Sequence, residues 1–73
     1  MEVIPGKTYV HKKGGRYIIL HIADESTNKR TGNKVVVYQS IALGKIHTRD
    51  LDEFTELVEW PDGTQKPRFI LEE

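Results

Sequence analysis

Residues 9–23 read YVHKKGGRYIILHIA. This run decides the fold because it holds a whole hairpin: an aromatic-apolar strand end, a Lys-Lys-Gly-Gly turn, and the strand Arg16–Asp24, whose Tyr17-Ile18-Ile19-Leu20 has high β-propensity. Two tyrosines and two histidines are set into it. Period-two alternation assigns Ile18, Leu20 and Ile22 to the core face and Tyr17, Ile19, His21 and Ala23 to the other. A three-residue loop of Lys13-Gly14-Gly15, with Gly15 left-handed, pairs His11 with Tyr17, Tyr9 with Ile19 and Lys7 with His21. Tyr9, His11, Tyr17 and His21 then share one face. A two-residue Gly14-Gly15 loop pairs His11 with Ile18 and turns Tyr9 and His11 inward, because a one-residue slip flips a strand. The four side chains are therefore either a working surface or a second apolar layer.

Outward from the hairpin, Pro5-Gly6 is a turn that launches a first strand over Lys7–His11. The polar run 25–33, ESTNKRTGN, is a loop with turn chemistry at Thr31-Gly32-Asn33. Lys34–Ala42 is predicted as a third strand, Gly44 breaks it, and Ile46–Arg49 makes a short fourth. Asp50-Leu51-Asp52-Glu53-Phe54 carries the one helical signal, a capping box with Asp50 at the cap. Thr55–Trp60 is extended, and Trp60-Pro61-Asp62-Gly63 is a type I turn that closes a hairpin onto Thr64–Leu71. Pro67 cannot donate to a ladder, which makes that last strand an edge. The pattern predicts an all-β fold: one domain over residues 1–73, a small antiparallel SH3-like barrel of about five strands with one short helical turn near residues 50–56.

The 73 residues hold no cysteine, which excludes disulfides and thiolate chemistry. No apolar run reaches the ~18 residues of a membrane span, and no signal region follows Met1, so a soluble cytoplasmic protein without a membrane partner is expected. Net charge is zero, yet residues 1–49 hold nine Lys/Arg against three Asp/Glu, and residues 50–73 hold two against eight. The halves neutralise one another on folding, and the near-neutral balance lacks the basic footprint of a nucleic-acid domain.

The string Gly6-x-x-Tyr9-x-His11-Lys12-x-Gly14-Gly15-x-Tyr17, then Ile22-Ala23, Val36-Val37-Tyr38, Arg49-x-Leu51-x-x-Phe54 and Arg68-Phe69, resembles a family of short bacterial and phage proteins known as domain of unknown function 1653. The resemblance covers nearly the whole chain. It implies a small β-rich fold and brings no activity.

Enzymatic motifs are missing. His11, His21 and His47 with Asp24 or Glu25 lack metal-ligand spacing, and no metal or cofactor is expected. Ser26 and Ser40 sit in no nucleophile motif, and Gly14-Gly15 precedes no helix that could cradle a phosphate. Arg49 and Arg68 offer planar forks for a carboxylate or phosphate, or for salt bridges to the acidic C-terminal part. The expected function is a non-catalytic binding module for a small molecule, nucleotide or protein. Its ligand-binding residues are Tyr9, His11, Tyr17, His21, Tyr38, Arg49 and Arg68. The alternative is a nucleic-acid-binding barrel that uses Lys7, Lys12, Lys13, Arg16, Lys29, Arg30 and Lys34. The apolar Phe69-Ile70-Leu71 on an edge strand points to a homodimer or to docking on a larger protein, unless one of them seals the core.

Overall fold

The computed structural model describes residues 2–26 and 32–73; Lys29, Arg30 and Thr31 lie outside them. The elements run β1 (Thr8–His11), β2 (Arg16–Asp24), β3 (Lys34–Ser40), β4 (Ile46–Asp50), α1 (Leu51–Phe54), β5 (Leu57–Glu59), β6 (Gln65–Pro67) and β7 (Phe69–Leu71). All strand pairs are antiparallel. One sheet has the order β4-β3-β2-β1-β7, and β5-β6 forms a separate ribbon. β4 and β7 are the two edges of the larger sheet. No ladder among the described residues joins them, so the sheet stays open and no closed barrel is found. No described helix is long and apolar enough to cross a membrane.

The first hairpin differs from expectation in its turn. The loop is Lys12-Lys13-Gly14, closed by the Gly14 N–H donating to the His11 carbonyl at 2.7 Å and the His11 N–H to the Gly15 carbonyl at 2.8 Å. Gly14, at φ +96°, takes the left-handed position in place of Gly15. Tyr9 therefore pairs with Tyr17, and Thr8 with Ile18. The shift is two residues, so Tyr9, His11 and Tyr17 still share a face.

That face is the core. Tyr9 and Ile19 are buried with Val3, Val36, Tyr38, Phe54 and Phe69, and Tyr17 packs against them. Ile18 and Leu20, expected inside, lie outside this cluster and are half-buried. Ring volume gives the reason: a core this small is filled by a few large side chains, and tyrosine buries its body while its hydroxyl reaches a partner at the margin. The Tyr9 hydroxyl accepts the Ile4 N–H at 3.0 Å.

A bulge decides the rest of β2. Ile19 pairs with Tyr38 and His21 with Val37, leaving Leu20 as the extra residue. Beyond it the faces exchange: Ile22 turns to the core and His21 turns away, exposed. Deleting Leu20 is expected to give an unbroken ladder, because Ile19, His21 and Ile22 then alternate in order against Tyr38, Val37 and Val36. Thermal unfolding of that variant should fall by no more than about 10 °C. Deleting Val37 from the unbulged partner strand should abolish the cooperative transition.

The rest of the chain covers the core face. α1 is the one short helical turn expected, formed without the expected side-chain cap. Asp50 is its N-cap residue with no side-chain cap hydrogen bond, and the helix holds Phe54 fully buried. β3 ends at Ser40, not Ala42, because the Ser40 hydroxyl accepts the Leu43 N–H at 3.1 Å and starts the turn that Gly44 completes at φ +73°. The expected final strand 64–71 breaks at Arg68, whose N–H donates to the Glu56 carbonyl at 2.8 Å. Its first part, with Pro67, pairs with β5, and its second part pairs with β1. Phe69 is 2 % exposed, so it seals the core.

Candidate functional site

The rings of Tyr17, Tyr38 and Phe69 floor a concavity of about 230 Å³, rimmed by His11, Lys13, Gly15, His47 and Arg49. Five strands and a turn bring them together. Tyr17 opens β2, Tyr38 lies on β3 opposite His47 of β4, and Phe69 of β7 lies opposite His11 of β1. The three floor rings meet edge-to-face, with centroids 5.4–5.6 Å apart. Phe69 stacks on Phe54 beneath at 3.9 Å, which fixes the floor to the core. His11 lies edge-on to Phe69 at 4.8 Å, and His47 tilts over Tyr38 at 5.4 Å. Gly15 keeps room for this arrangement, since a Cβ there would sit 3.0 Å from the Tyr17 ring.

The rim is cationic. The Arg49 guanidinium lies 5.6 Å from the centre of the Phe69 ring, and its Nε donates to the Tyr38 hydroxyl at 3.3 Å. Arg49 is half-buried and forms no ion pair with any described residue. His11 Nδ1 accepts the Lys13 N–H at 3.1 Å, which leaves the proton of the neutral ring on Nε2. Burial first, then Arg49, Lys13, Arg68 and Lys12, hold the His11 pKa below its ordinary 6.5. The folded form thus resists a proton that the unfolded chain accepts. His11 contributes stability above pH 6.5 that is lost as pH falls through its lowered pKa. The His11 ring protons should titrate with a midpoint below 6.5 by NMR, and His11→Gln should flatten the acid limb of the stability curve.

Of the seven residues expected from sequence, His11, Tyr17, Tyr38 and Arg49 line this concavity. Tyr9 shares their face but is 4 % exposed and belongs to the core. His21 is carried to the opposite face by the bulge. Arg68 is held by Glu56 at 2.7 Å and Glu53 at 3.7 Å, so the salt-bridge reading applies to it and not to Arg49. Lys13, Gly15, His47 and Phe69 line it as well and were not among the seven. The signal for His47 was its alternation with Arg49 on a strand beside Tyr38.

Other hollows among the described residues have different chemistry. One of about 380 Å³ mixes Glu25, Asp50 and Glu53 with Arg49, and one of about 440 Å³ is lined by Ile4, Pro67, Ile70 and Leu71. No group of three or more metal-binding side chains occurs among the described residues.

Residues 7–71 match the family model described as protein of unknown function, DUF1653. The chain is similar to a DUF1653 protein of known crystal structure from Bordetella bronchiseptica, at 32 % identity and a TM-score of 0.74, over 94 % of this chain and 86 % of that one. No curated protein matches it. The chain belongs to the DUF1653 family.

Proposed function

We propose that this member of the DUF1653 family is a non-catalytic binding module whose concavity takes a small ligand with one planar ring and an acidic group. The observation that carries this reading is Arg49: a half-buried guanidinium without an ion pair among the described residues, at the lip of an aromatic floor. A guanidinium so placed is a ready fork for a carboxylate or phosphate. The rings of Tyr17 and Tyr38 supply the stacking surface. The volume of about 230 Å³ is below the ~300–1,000 Å³ of drug-sized sites, so one ring fits and not two. A stacked ring contributes ~1–3 kcal/mol and a charge-assisted hydrogen bond ~1.5–3 kcal/mol. Together these suit dissociation constants between about 15 mM and about 40 µM.

The SH3-like relation belongs to the same reading, with the loop of the first hairpin at the mouth of the site. So does a cytoplasmic setting in a bacterium or phage. Lys13 at the rim supports a second reading, in which the ring is one base of a single-stranded nucleic acid.

Titration of isotope-labelled protein with nucleoside monophosphates, aromatic carboxylates and a short single-stranded oligonucleotide tests both. The expected result is saturable shifts at Tyr17, Tyr38, His47 and Arg49. Tyr17→Ala should weaken binding about tenfold or more and keep a cooperative unfolding transition. Gly15→Ala, which crowds the Tyr17 ring without a strained backbone, should weaken binding with little change in stability. Tight binding of the oligonucleotide alone, steeply lowered by salt, selects the nucleic-acid reading. No shift with any probe at millimolar concentration removes both.

A further inference from the structure

We propose that β4, one edge of the five-stranded sheet, takes an extended peptide as a further strand, with a carboxylate side chain of the peptide set opposite Arg49. The phase of the ladder opens this edge. The Ser40 N–H donates to the Lys45 carbonyl at 2.9 Å, one step beyond the pair of Gln39 and Ile46, so the backbones of His47 and Arg49 are the ones that bond to β3. The Ile41 N–H donates to the Arg16 carbonyl at 3.1 Å, which gives the same phase from the β2 side. The backbone N–H and carbonyl groups of Ile46 and Thr48 therefore point out of the sheet. Both residues are exposed, and no described residue bonds to those groups. β4 also lacks the usual protection of an edge: it has no proline, no lysine and no bulge. β7, the other edge, is only three residues long.

Charge selects the occupant. Alternation puts His47 and Arg49 on the concavity side of β4, and no acidic residue lines the concavity. The nearby acids, Glu25, Asp50 and Glu53, border the hollow at the far end of the strand, and Glu53 pairs with Arg68 at 3.7 Å. A second copy fits this edge badly. Antiparallel pairing of two β4 edges centred on Thr48 sets His47 against Arg49 of the other copy. Centred one residue to either side, it sets Lys45 against Arg49, or Arg49 against Arg49. Each register leaves the guanidinium without an anion opposite, and two of the three oppose like charges. A peptide that alternates carboxylates with β-branched residues fits instead. Bonded through the residue opposite Thr48, it sets carboxylates opposite His47 and Arg49. Its β-branched side chains then lie opposite Thr48 and Ile46, and Ile46 is 63 % exposed without them. Main-chain bonds supply affinity and Arg49 chooses the side chain. The inference rests on the reading of Arg49 as the anion-binding group, and it does not need the aromatic floor.

Titration of the isotope-labelled full chain with a blocked peptide of about eight alternating valines and glutamates, up to about 1 mM, tests it. The expected result is saturable binding that slows hydrogen exchange at the Ile46 and Thr48 amides about tenfold or more. Methylated at its valine nitrogens, the same peptide keeps its charge and loses its bonds to β4, so binding should vanish. Lysine in place of glutamate, or Arg49→Gln in the protein, should weaken binding about tenfold or more. Thr48→Pro removes an outward N–H that β3 does not use, so it should abolish binding and keep the fold. The methylated peptide carries the test if that variant does not fold. Binding that survives methylation, or that leaves the Ile46 and Thr48 amides unprotected, overturns the proposal. So does a folded protein that ignores the peptide, whether or not it binds an oligonucleotide. If aromatic carboxylates still shift Tyr17 and Tyr38 in that case, strand addition falls and the reading of the concavity stands. Peptide binding with no shift from any small probe upholds strand addition and removes that reading.

Discussion

Phe54→Ala is expected to leave the chain largely unfolded near body temperature. Phe54 is fully buried, stacks on Phe69 at 3.9 Å, and meets the edges of Tyr38 and Tyr9 at 5.4 and 5.8 Å. Truncating such a ring costs ~3–5 kcal/mol, the lost transfer energy plus the cavity. A domain of this length has ~4–11 kcal/mol in total at ~0.05–0.15 kcal/mol per residue. The loss is therefore a large share of the whole, and the unfolding midpoint should fall by ~15–30 °C. The effect also reaches beyond the ring. α1 has four residues and cannot hold itself together without tertiary contacts. Phe54 is what fastens it over the sheet, and Glu53, which pairs with Arg68, is on the same turn. Phe54→Leu keeps most of the volume and should cost about 1–1.5 kcal/mol. A midpoint lowered by less than about 5 °C in Phe54→Ala would show that α1 is not the lid of this core.

The strands were legible because their signals are local. Arg16–Asp24 has β-branched and aromatic residues bounded by a Gly-Gly turn and a polar loop, and its limits are those of β2. The turn at Trp60-Pro61-Asp62-Gly63 was legible for the same reason, and Gly63 takes φ +85° there. Which face goes inward was not legible. Tyr17, Ile18, Ile19 and Leu20 are all apolar, so period two offers no contrast, and the choice falls to what packs against the strand from elsewhere. Phe54 and Phe69 make that choice, and they are far along the chain. The bulge at Leu20 is likewise a property of the pairing with β3. It separated His21 from a face that its sequence spacing had assigned to it. Arg49 and Arg68 were equivalent as residue types, and only the fold placed Arg68 between two glutamates and left Arg49 without an ion pair among the described residues.

That difference makes Arg49→Gln the most informative change at the site. The substitution keeps a polar side chain of similar reach and removes the charged fork. Ligand binding should weaken about tenfold to a hundredfold, the loss of one or two charge-assisted hydrogen bonds. The fold should hardly notice, since Arg49 gives up one 3.3 Å hydrogen bond to the Tyr38 hydroxyl and one cation–ring contact at 5.6 Å. A second readout needs no ligand. After burial, Arg49 is the largest cause of the lowered His11 pKa. Its removal should move the His11 midpoint upward toward 6.5, and the window in which acid destabilises the protein should narrow, because folded and unfolded values then lie closer together. A neutral control, Tyr38→Phe, removes the hydroxyl but keeps the charge and should leave the His11 midpoint where it is. If Arg49→Gln weakens binding and raises that midpoint together, the guanidinium acts from inside the concavity. If the midpoint rises and affinity stays the same, Arg49 is beside the site and the acidic group of the ligand goes elsewhere. If neither moves, the guanidinium does not face His11 at all.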